Sequence, residues 1–378
     1  MKVFFRVLLF AALLSSCSRR PSAQQGGGNA VAFRYAQLIH VEEYEGFRLV
    51  TVDNPWKPGR ALHRYLLVPR DVPPSPRPPV PPYPVTVVRT PLRRSVIFTS
   101  VHAALACQLH AEGQIAGVAD LKYMKVPYVQ QGCREGRIAD CGDGMSPLVE
   151  TIIDCGADAI LLSPFENSGG YGRLEDIGIP LIECAEYMEQ SPLARAEWMR
   201  FYGMLYGQEA RADSLFAVVD SSYQALKKNA ERVEWGTLPK VLMDKQTGSV
   251  WYMPGGRSTI GRMLADAQCD YPFVADEHSG SLPLPFETVL EKAGESDVWL
   301  LRYDAAKPLT MSQLLGEQPG YRQLKPVREG RVYGCNVSTS MFYEETPFRP
   351  DLLLRDLILI LHSATPNPDS LRYYSKVE

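Results

Sequence analysis

The feature that most constrains the fold is an alternation of short apolar strands and helical segments, which occurs twice along the chain. The first series begins at "RRSVIFTS" (93–100) and ends at "PLIECA" (180–185). The second series starts at "KVLMDK" (240–245) and closes with "RPDLLLRDLILILH" (349–362). Strands that alternate with helices predict parallel sheets covered by helices on both faces. The sequence therefore predicts an α/β protein with two Rossmann-like lobes.

Between the two series lies a long helical stretch, which predicts a rigid connection. Ser191 followed by Pro192 is typical of a helix start, and apolar residues recur at helical spacing from Ala212 to Leu226. We expect only a small closure of the lobes on binding, because one helix joins them. The predicted parts are an N-lobe (86–188), a single interlobe helix (190–235) and a C-lobe (238–378).

The chain before residue 86 has a different composition and is predicted in three pieces. Residues 1–16 have the short apolar core of a signal peptide, which is too short to span a bilayer. Residues 17–30 form a Gly/Gln/Ser-rich spacer. Residues 31–85 hold two strand patterns around the turn-rich "DNPWKPGR", and then a proline-rich connector. We predict a β-hairpin appendage there.

The signal peptide ends in "LSSC", which fits the motif cleaved before a lipid-modified cysteine at Cys17. Acyl chains on Cys17 would anchor the protein to a membrane, since each buried CH₂ contributes about 0.8 kcal/mol. The alternative is an unmodified cysteine after an ordinary signal peptide. The preferred interpretation is a lipoprotein anchored in the cell envelope, on its periplasmic side.

Charge and cysteine content narrow the function classes. The net charge is -3, and the mature chain has no Lys/Arg-rich block. It therefore lacks the basic surface that a nucleic-acid-binding protein needs. Eight cysteines less Cys17 leave seven, so at least one stays free. Cys133 and Cys141 bracket the loop "CREGRIADC" and either close a small disulfide ring or stay reduced. The remaining cysteines sit beside apolar residues and favour core packing.

Taken together, these segments resemble the substrate-binding proteins of ABC importers that carry ferric siderophores, haem and cobalamin. The resemblance covers nearly all of the chain after Arg93. It is carried by "RSVIFTSVHAALACQLHAEGQIAGVAD", "IADCGDGMSPLVETIIDCGADAILLS", "LEDIGIPLIECAEYMEQSP", "YGQEARADSLF" and "RPDLLLRDLILILH". It implies two lobes joined by one helix, a monomer, and delivery of a metal chelate to a permease dimer. Residues 31–85 depart from this pattern.

Two similar stretches, "SPLVETIID" and "PLPFETVLEKA", place Glu150 and Glu287 near helix starts in the two lobes. The resemblance implies that these two carboxylates meet arginines on a two-fold symmetric permease, and a symmetric partner requires the same group on each half. The alternative is that an acid in the first turn is favourable by about 0.3–1 kcal/mol through the helix dipole.

Ligands of open α/β sheets bind beyond the carboxyl ends of the strands, so the post-strand loops supply the cleft candidates. These loops are rich in aromatic, hydroxyl and amide groups, which suit a large flat chelate. The candidates are Ser100, His102, Tyr123, Tyr128, Ser163, Phe165, Asn167, Trp251, Tyr252, Arg257, Arg302, Tyr303, Phe342 and Tyr343. Each aromatic residue could equally be core, and His102 could ligate a metal or be a hydrogen-bonded core residue. Arg257 is favoured as an anion contact.

Other classes of function have less support in the sequence. No G-x-S-x-G, H-E-x-x-H or phosphate-loop motif is present, so we predict a carrier without catalysis or cofactor. The first alternative is a lipoprotein chelatase that removes the metal from haem. The second is a zinc or manganese carrier, which would need three or four convergent ligands, whereas the six histidines are scattered.

Overall fold

The computed structural model of the chain describes residues 28–71, 83–166, 170–232, 236–363 and 366–378. Three α/β or β units follow one another along the chain: an N-terminal sheet and two lobes with parallel sheets. Within these ranges no helix has the length and apolar character needed to cross a membrane. The signal peptide, the spacer with Cys17 and most of the proline-rich connector lie outside the described residues.

The N-terminal unit is a five-stranded sheet in the order β1-β2-β3-β4-β5. Its strands are β1 (Asn29–Val31), β2 (Ile39–Tyr44), β3 (Phe47–Asp53), β4 (Ala61–Pro69) and β5 (Thr86–Thr90). The predicted hairpin is present as the antiparallel pair β3 and β4, and β5 joins β4 in parallel after the proline-rich segment. One face of the sheet packs into the main core through Val50, Val52 and Tyr65. The sheet is therefore larger and more integrated than the hairpin appendage that the sequence predicts.

The N-lobe contains an all-parallel sheet in the order β12-β11-β6-β7-β8, as the strand and helix alternation predicts. Every residue of β6, β7 and β11 is buried, which explains their apolar runs. Its elements are β6 (Ser95–Ile97), α1 (Ser100–Gln108), β7 (Ile115–Val118), α2 (Pro127–Arg134), β8 (Ala139–Asp140), β9 (Gly142–Asp143), β10 (Ser146–Pro147), α3 (Val149–Asp154), β11 (Ala159–Leu162), α4 (Arg173–Asp176) and β12 (Leu181–Glu183).

Three helices join the lobes: α5 (Pro192–Glu197), α6 (Met199–Tyr206) and α7 (Glu209–Arg232). Ser191 caps α5 by accepting the backbone N–H of Ala194 at 3.0 Å, as the Ser-Pro pair predicts. The prediction of one continuous helix is wrong, because Gly207 adopts the left-handed conformation with φ 67° and ends α6. The 24 residues of α7 form the predicted long rod, which is about 36 Å long.

The C-lobe has a sheet in the order β13-β17-β18-β19, in which β19 alone runs antiparallel to its neighbour. A second sheet, β14-β15-β16, is antiparallel and forms where the sequence predicts a loop around Trp251. The elements are β13 (Val241–Met243), β14 (Gln246–Thr247), β15 (Val250–Pro254), α8 (Thr259–Asp266), β16 (Ser281–Leu284), α9 (Phe286–Ala293), β17 (Val298–Tyr303), α10 (Met311–Glu317), α11 (Lys325–Arg328), β18 (Val332–Asn336), α12 (Phe342–Glu345), α13 (Pro350–His362) and β19 (Ser375–Lys376).

Two buried carboxylates hold the N-terminal sheet against the helices that follow the N-lobe. Glu197 accepts the backbone N–H groups of residues 34–36 at 2.7–2.9 Å. Glu189 accepts those of residues 37 and 38 at 2.9–3.2 Å, together with the indole N–H of Trp198. We call this arrangement the carboxylate latch. Five consecutive N–H groups thus find side-chain carboxyl acceptors. Burial raises the pKa of Glu189, and the hydrogen bonds from Trp198 and from the backbone oppose this rise.

Candidate functional site

The first component of the cleft is a cavity of about 560 Å³ at the carboxyl ends of β6 and β11. Phe98 follows β6, and Ser163 and Phe165 follow β11, so parallel strands bring these side chains to one edge of the sheet. Asp120, Tyr171 and Arg173 complete its polar and aromatic lining. We call this cavity the N-lobe mouth. The predicted contacts Ser163 and Phe165 lie in it.

The second component is a smaller cavity of about 200 Å³ whose walls come from both lobes. Val101 of α1 contributes the N-lobe side, and Arg195 of α5 lies at the junction. From the C-lobe come three predicted residues, Arg302, Phe342 and Tyr343. We call this cavity the interlobe floor. The structure thus brings together Arg302 at the end of β17 and the first residues of α12, which the sequence placed in the cleft separately.

Arg302 is held rigidly at the interlobe floor by Asp244. Nε and Nη2 of Arg302 donate to the two carboxylate oxygens of Asp244 at 2.7 and 2.6 Å. Burial opposes the charge on Arg302, but Asp244 outweighs it, so the pKa of the guanidinium is raised. The guanidinium lies 5.8 Å from the ring centroid of Phe342 and 5.9 Å from that of Tyr343. Asp244 engages Nε and Nη2, so Nη1 of this rigid guanidinium, beside two aromatic rings, can donate to an oxygen atom of a planar ligand.

His102 does not reach the cleft, so its prediction as a ligand contact is wrong. It is 1% exposed, and its Nε2 lies 3.2 Å from Oε1 of Glu186. Arg195 Nη2 is 4.0 Å from the same oxygen, and the Tyr202 hydroxyl donates to the other oxygen at 3.4 Å. The alternative of a hydrogen-bonded core histidine is correct. This buried network supports Arg195 from beneath the interlobe floor.

Trp251 is also wrong as a cleft residue, because it is fully buried in the C-lobe core. Its indole N–H donates to the carbonyl of Met243 at 2.9 Å, and its ring packs 5.8 Å from that of Trp299. Side chains alternate along β15, so Trp251 points inward while Tyr252 points outward and is half exposed. Tyr303 is similarly buried at 9% exposure and packs against Gly334.

The remaining predicted contacts lie outside both cavities or outside the described residues. Tyr123 is exposed with Lys122 over its ring, and Tyr128 is half-buried beside Arg137. Arg257 pairs with Glu277 at 2.6 Å on the surface. Asn167 falls in a gap of the described residues.

Ser100 makes a contact between the lobes that the sequence did not predict. Its side chain hydrogen-bonds the Glu344 carboxyl, whose pKa is raised by burial. Glu344 is buried in α12, which packs along α1. The sequence also missed Asp244 and Arg195. Asp244 directly follows a strand, which is a usable signal, whereas nothing local distinguishes Arg195 from a surface arginine.

The cysteines are free thiols throughout the described part of the chain. The ring proposed for Cys133 and Cys141 is therefore not formed. Cys141 turns into the core instead, where its sulfur and that of Cys155 flank the Cα of Gly117. Burial raises the pKa of both Cys141 and Cys155, so these thiols are poor nucleophiles.

The two candidate docking glutamates occupy equivalent positions, each the second residue of an exposed helix. Glu150 lies in the first turn of α3 and Glu287 in that of α9. Glu150 is paired with Arg173 at 2.8 Å, while Glu287 has no ion-pair partner among the described residues. Exposed apolar residues precede Glu150 in the chain, with Met145 80% and Leu148 52% exposed. A mixed apolar and acidic surface of this kind is typical of protein contacts.

Metal-binding side chains do not converge in the described ranges. No group of three or more His, Cys, Asp or Glu side chains there could hold a metal ion. The zinc or manganese carrier would require such a group, so the described residues give that alternative no support.

Two lobes built on parallel sheets, the connecting helix α7 and a cavity lined by residues of both lobes define a two-lobed binding protein. The sequence model of the family described as periplasmic binding protein matches residues 96–338, so the chain belongs to this family. An uncharacterized lipoprotein of Methanocaldococcus jannaschii is 26% identical over 73% of the chain. The chain covers 66% of that relative, just under two thirds of its length.

Solved structures share the fold. A periplasmic haem-binding protein from Pseudomonas aeruginosa superposes with a TM-score of 0.56 at 15% identity, over 76% of this chain and 98% of that one. A protein of an ABC-type Fe³⁺-hydroxamate transport system from Saccharomonospora viridis superposes with a TM-score of 0.54 at 19% identity, over 72% and 94% of the two chains. Both are similar to this protein in fold.

Proposed function

We propose that this protein is the substrate-binding lipoprotein of an ABC transporter, which captures a metal chelate in the interlobe cleft and delivers it to the permease. The observation that carries the proposal is the clamped Arg302 beside Phe342 and Tyr343 at the interlobe floor. Haem is a flat macrocycle with carboxylate arms, cobalamin is a macrocycle with amide arms, and ferric siderophores present oxygen-rich surfaces. Aromatic rings and a fixed guanidinium complement such ligands.

Membership of the periplasmic binding protein family and the folds of haem- and iron-transport proteins support this class of cargo. The N-lobe mouth alone, at about 560 Å³, offers room for a small molecule, since pockets of about 300–1,000 Å³ hold small molecules and cofactors. The lipoprotein relative in M. jannaschii supports anchoring through Cys17. Envelope localisation follows from that anchor and from the signal peptide.

Calorimetric titration of the signal-free protein with haemin, cobalamin and a panel of ferric siderophores tests the proposal. We expect saturable binding of one of them, and R302K should weaken it at least about tenfold by removing the bidentate contact with Asp244. The exposed variant Y343A should weaken binding without affecting folding. R328K is the matched control, because Arg328 pairs with Glu295 on the C-lobe surface.

Two outcomes would contradict the proposal that this protein is a carrier. If no chelate in the panel binds, the class of cargo is wrong. If haemin loses its iron on mixing, the chelatase alternative replaces the carrier. Anchoring is tested separately: cells grown with a labelled fatty acid should label the wild-type protein, and C17A should remain unlabelled and leave the membrane fraction.

A further inference from the structure

The largest of the cavities described here lies outside the interlobe cleft. It has a volume of about 650 Å³ and runs between the N-terminal sheet and the β12 edge of the N-lobe. We call it the lateral groove. Trp56, Lys57 and His63 line its first side, and Tyr171, Leu181 and Glu183 line its second. The first side comes from residues before 96, where the match to the periplasmic binding protein family begins. The groove is thus built between a part of the chain that lies outside the family match and the N-lobe, which lies within it.

The walls of the lateral groove are aromatic and apolar. Trp56 stands on one side, and Phe165 and Tyr171 stand on the other. Phe165 and Tyr171 also line the N-lobe mouth, so the two cavities share a wall. The exposed side chain of Val87 lies at the groove as well. Facing aromatic walls favour a flat ring, since stacked and edge-to-face pairs contribute about 0.5–1.5 kcal/mol beyond their buried area.

The floor of the groove is a carboxylate held in a fixed position. Glu183 accepts from the Tyr171 hydroxyl at 2.8 Å and pairs with Nδ1 of His63 at 2.9 Å. Since a carboxylate only accepts, Nδ1 carries the proton. The other ring nitrogen of His63 lies 2.7 Å from the Thr86 hydroxyl, and the backbone N–H of Glu183 donates to the Tyr65 hydroxyl. The hydrogen bonds of Glu183 with His63 and Tyr65 join the N-lobe to the N-terminal sheet. Those made by Tyr171 and Thr86 hold Glu183 and His63 in place.

The charges at the groove select what it can hold. Glu166, Glu175 and Glu183 line it, against one lysine, Lys57, and His63. Carboxylate oxygens accept more than one hydrogen bond each, so the groove has spare acceptors and few donors. A ligand with hydroxyl or amino donors fits these acceptors, whereas a carboxylate on the ligand would be repelled.

We propose that the lateral groove is a second binding site, which takes an aromatic ring bearing hydroxyl or amino groups. The site goes beyond the proposed function, because it requires neither a metal chelate nor a permease. The lateral groove is adjacent to the cleft, because Phe165 and Tyr171 line both. His63 and Glu183, which form the floor of the groove, do not line the cleft.

Fluorine NMR on the signal-free protein labelled with 5-fluorotryptophan tests this site. The chain has five tryptophans, and W56F assigns the Trp56 resonance. The probe is tyramine, which has a phenol hydroxyl at one end and an ammonium group at the other. We expect tyramine to shift the Trp56 resonance saturably, and 4-hydroxyphenylacetate, with the same ring and a carboxylate, to bind at least about tenfold more weakly.

Filling the groove provides the second measurement. V87W should abolish the tyramine-dependent shift, whereas V218W, a substitution on α7 of a valine that is 57% exposed against 50% for Val87, should leave it unchanged. The proposal is rejected if tyramine leaves the Trp56 resonance in place, if both probes bind equally, or if V87W binds tyramine as well as V218W does. None of these readouts involves haemin, cobalamin or transport, so failure of this site and failure of the carrier are separable.

Discussion

Arg173 Nη2 lies 2.8 Å from Oε1 of Glu150, so one of the two candidate docking carboxylates already has a counterion within the protein. Glu287, its counterpart in the C-lobe, has none among the described residues. The hydrogen bond and the charge of Arg173 hold the pKa of Glu150 below its usual value. The two docking positions are therefore alike in sequence and in place, but different in electrostatics.

Reversing both docking charges should abolish transport and leave ligand affinity unchanged. The double variant E150K/E287K would place lysines against the arginines expected on the permease, and like charges across an interface are strongly disfavoured. Chelate uptake by cells and calorimetry on the purified protein measure the two properties. D154K/E291K is the matched control, with one exposed acid changed on each of the same helices. If the docking variant loses ligand binding together with transport, the docking assignment is wrong.

Removing the internal counterion should strengthen docking. R173Q frees Glu150, and because an exposed ion pair contributes little, we expect a gain in permease affinity of up to about fivefold. The pKa of Glu150 should return towards 4.5, which carbon NMR of the labelled carboxyl can follow. R137Q, which removes an exposed arginine paired with Glu135, serves as the control. An unchanged affinity in R173Q would mean that Glu150 does not contact the permease.

The network beneath the interlobe floor predicts a pH-dependent stability. Burial favours the neutral form of Glu186, but its interactions with His102 and Arg195 outweigh burial and hold the pKa of Glu186 below the usual 4.5. The stabilisation is therefore present above about pH 4.5 and is lost as the pH falls through the folded-state pKa. E186Q should lower the free energy of unfolding by about 3 kcal/mol at pH 7.

Urea unfolding of the wild type and E186Q between pH 7 and pH 4 measures this effect. The difference between the two proteins should shrink as the pH falls below about 4.5, because the wild-type carboxyl then gains a proton in the unfolded state and, at lower pH, in the folded state. E231Q, a change at an exposed position of α7, should show no such dependence. A constant difference at every pH would contradict the charged state assigned to Glu186.

Weakening the carboxylate latch should release the N-terminal sheet while the lobes stay folded. E197A leaves three backbone N–H groups without their acceptor, and we expect local opening of β2 to β4 to become easier by about 3 kcal/mol. Hydrogen exchange of the strand amides measures the opening. E231A is the control on α7. Equal loss of protection in the N-terminal sheet and in the C-lobe sheet would show that Glu197 supports the whole fold instead.

Binding should leave the overall dimensions nearly unchanged. The lobes are joined by α7 and are in contact through α1 and α12, so we expect the radius of gyration to differ by less than about 1 Å between free and loaded protein. Small-angle scattering measures this. Two glycines placed in α7, at Val218 and Ser221, should weaken the rod and enlarge the change. A large change in the wild type would overturn the rigid connection.

Periodicity and local signals predicted most of the architecture. Continuous apolar runs predicted buried strands such as β6 and β11, and the Ser191-Pro192 pair predicted a helix start. The break at Gly207 was missed because a lone glycine in a helical pattern is compatible with either a continuing helix or a stop. The small sheet β14-β15-β16 was missed because its residues read equally well as an aromatic loop.

The candidate site was predicted less completely, because it depends on contacts between distant residues. Trp251 points inward and Tyr252 outward because side chains alternate along a strand. The sequence did not predict that strand, so it could not predict which of the two residues is buried. His102 meets Glu186 from 84 positions away, a pairing that no spacing rule gives. Arg302, Phe342 and Tyr343, which the sequence predicts as cleft contacts, all line the interlobe floor, although Arg302 lies within β17 and the other two lie in α12. Asp244, which positions Arg302, was not predicted.

The carboxylate latch has a consequence for how the chain acquires its structure. Residues 34–38 bond to carboxylates that lie 151 to 163 positions later in the sequence. At about 5–20 residues per second, synthesis delivers those acceptors about 8 to 30 s after the strands that need them. Throughout that interval the first strands are present without the surface they pack against. The N-terminal sheet is therefore made before the N-lobe, yet it can reach its final position only after residues 189–197 have been made.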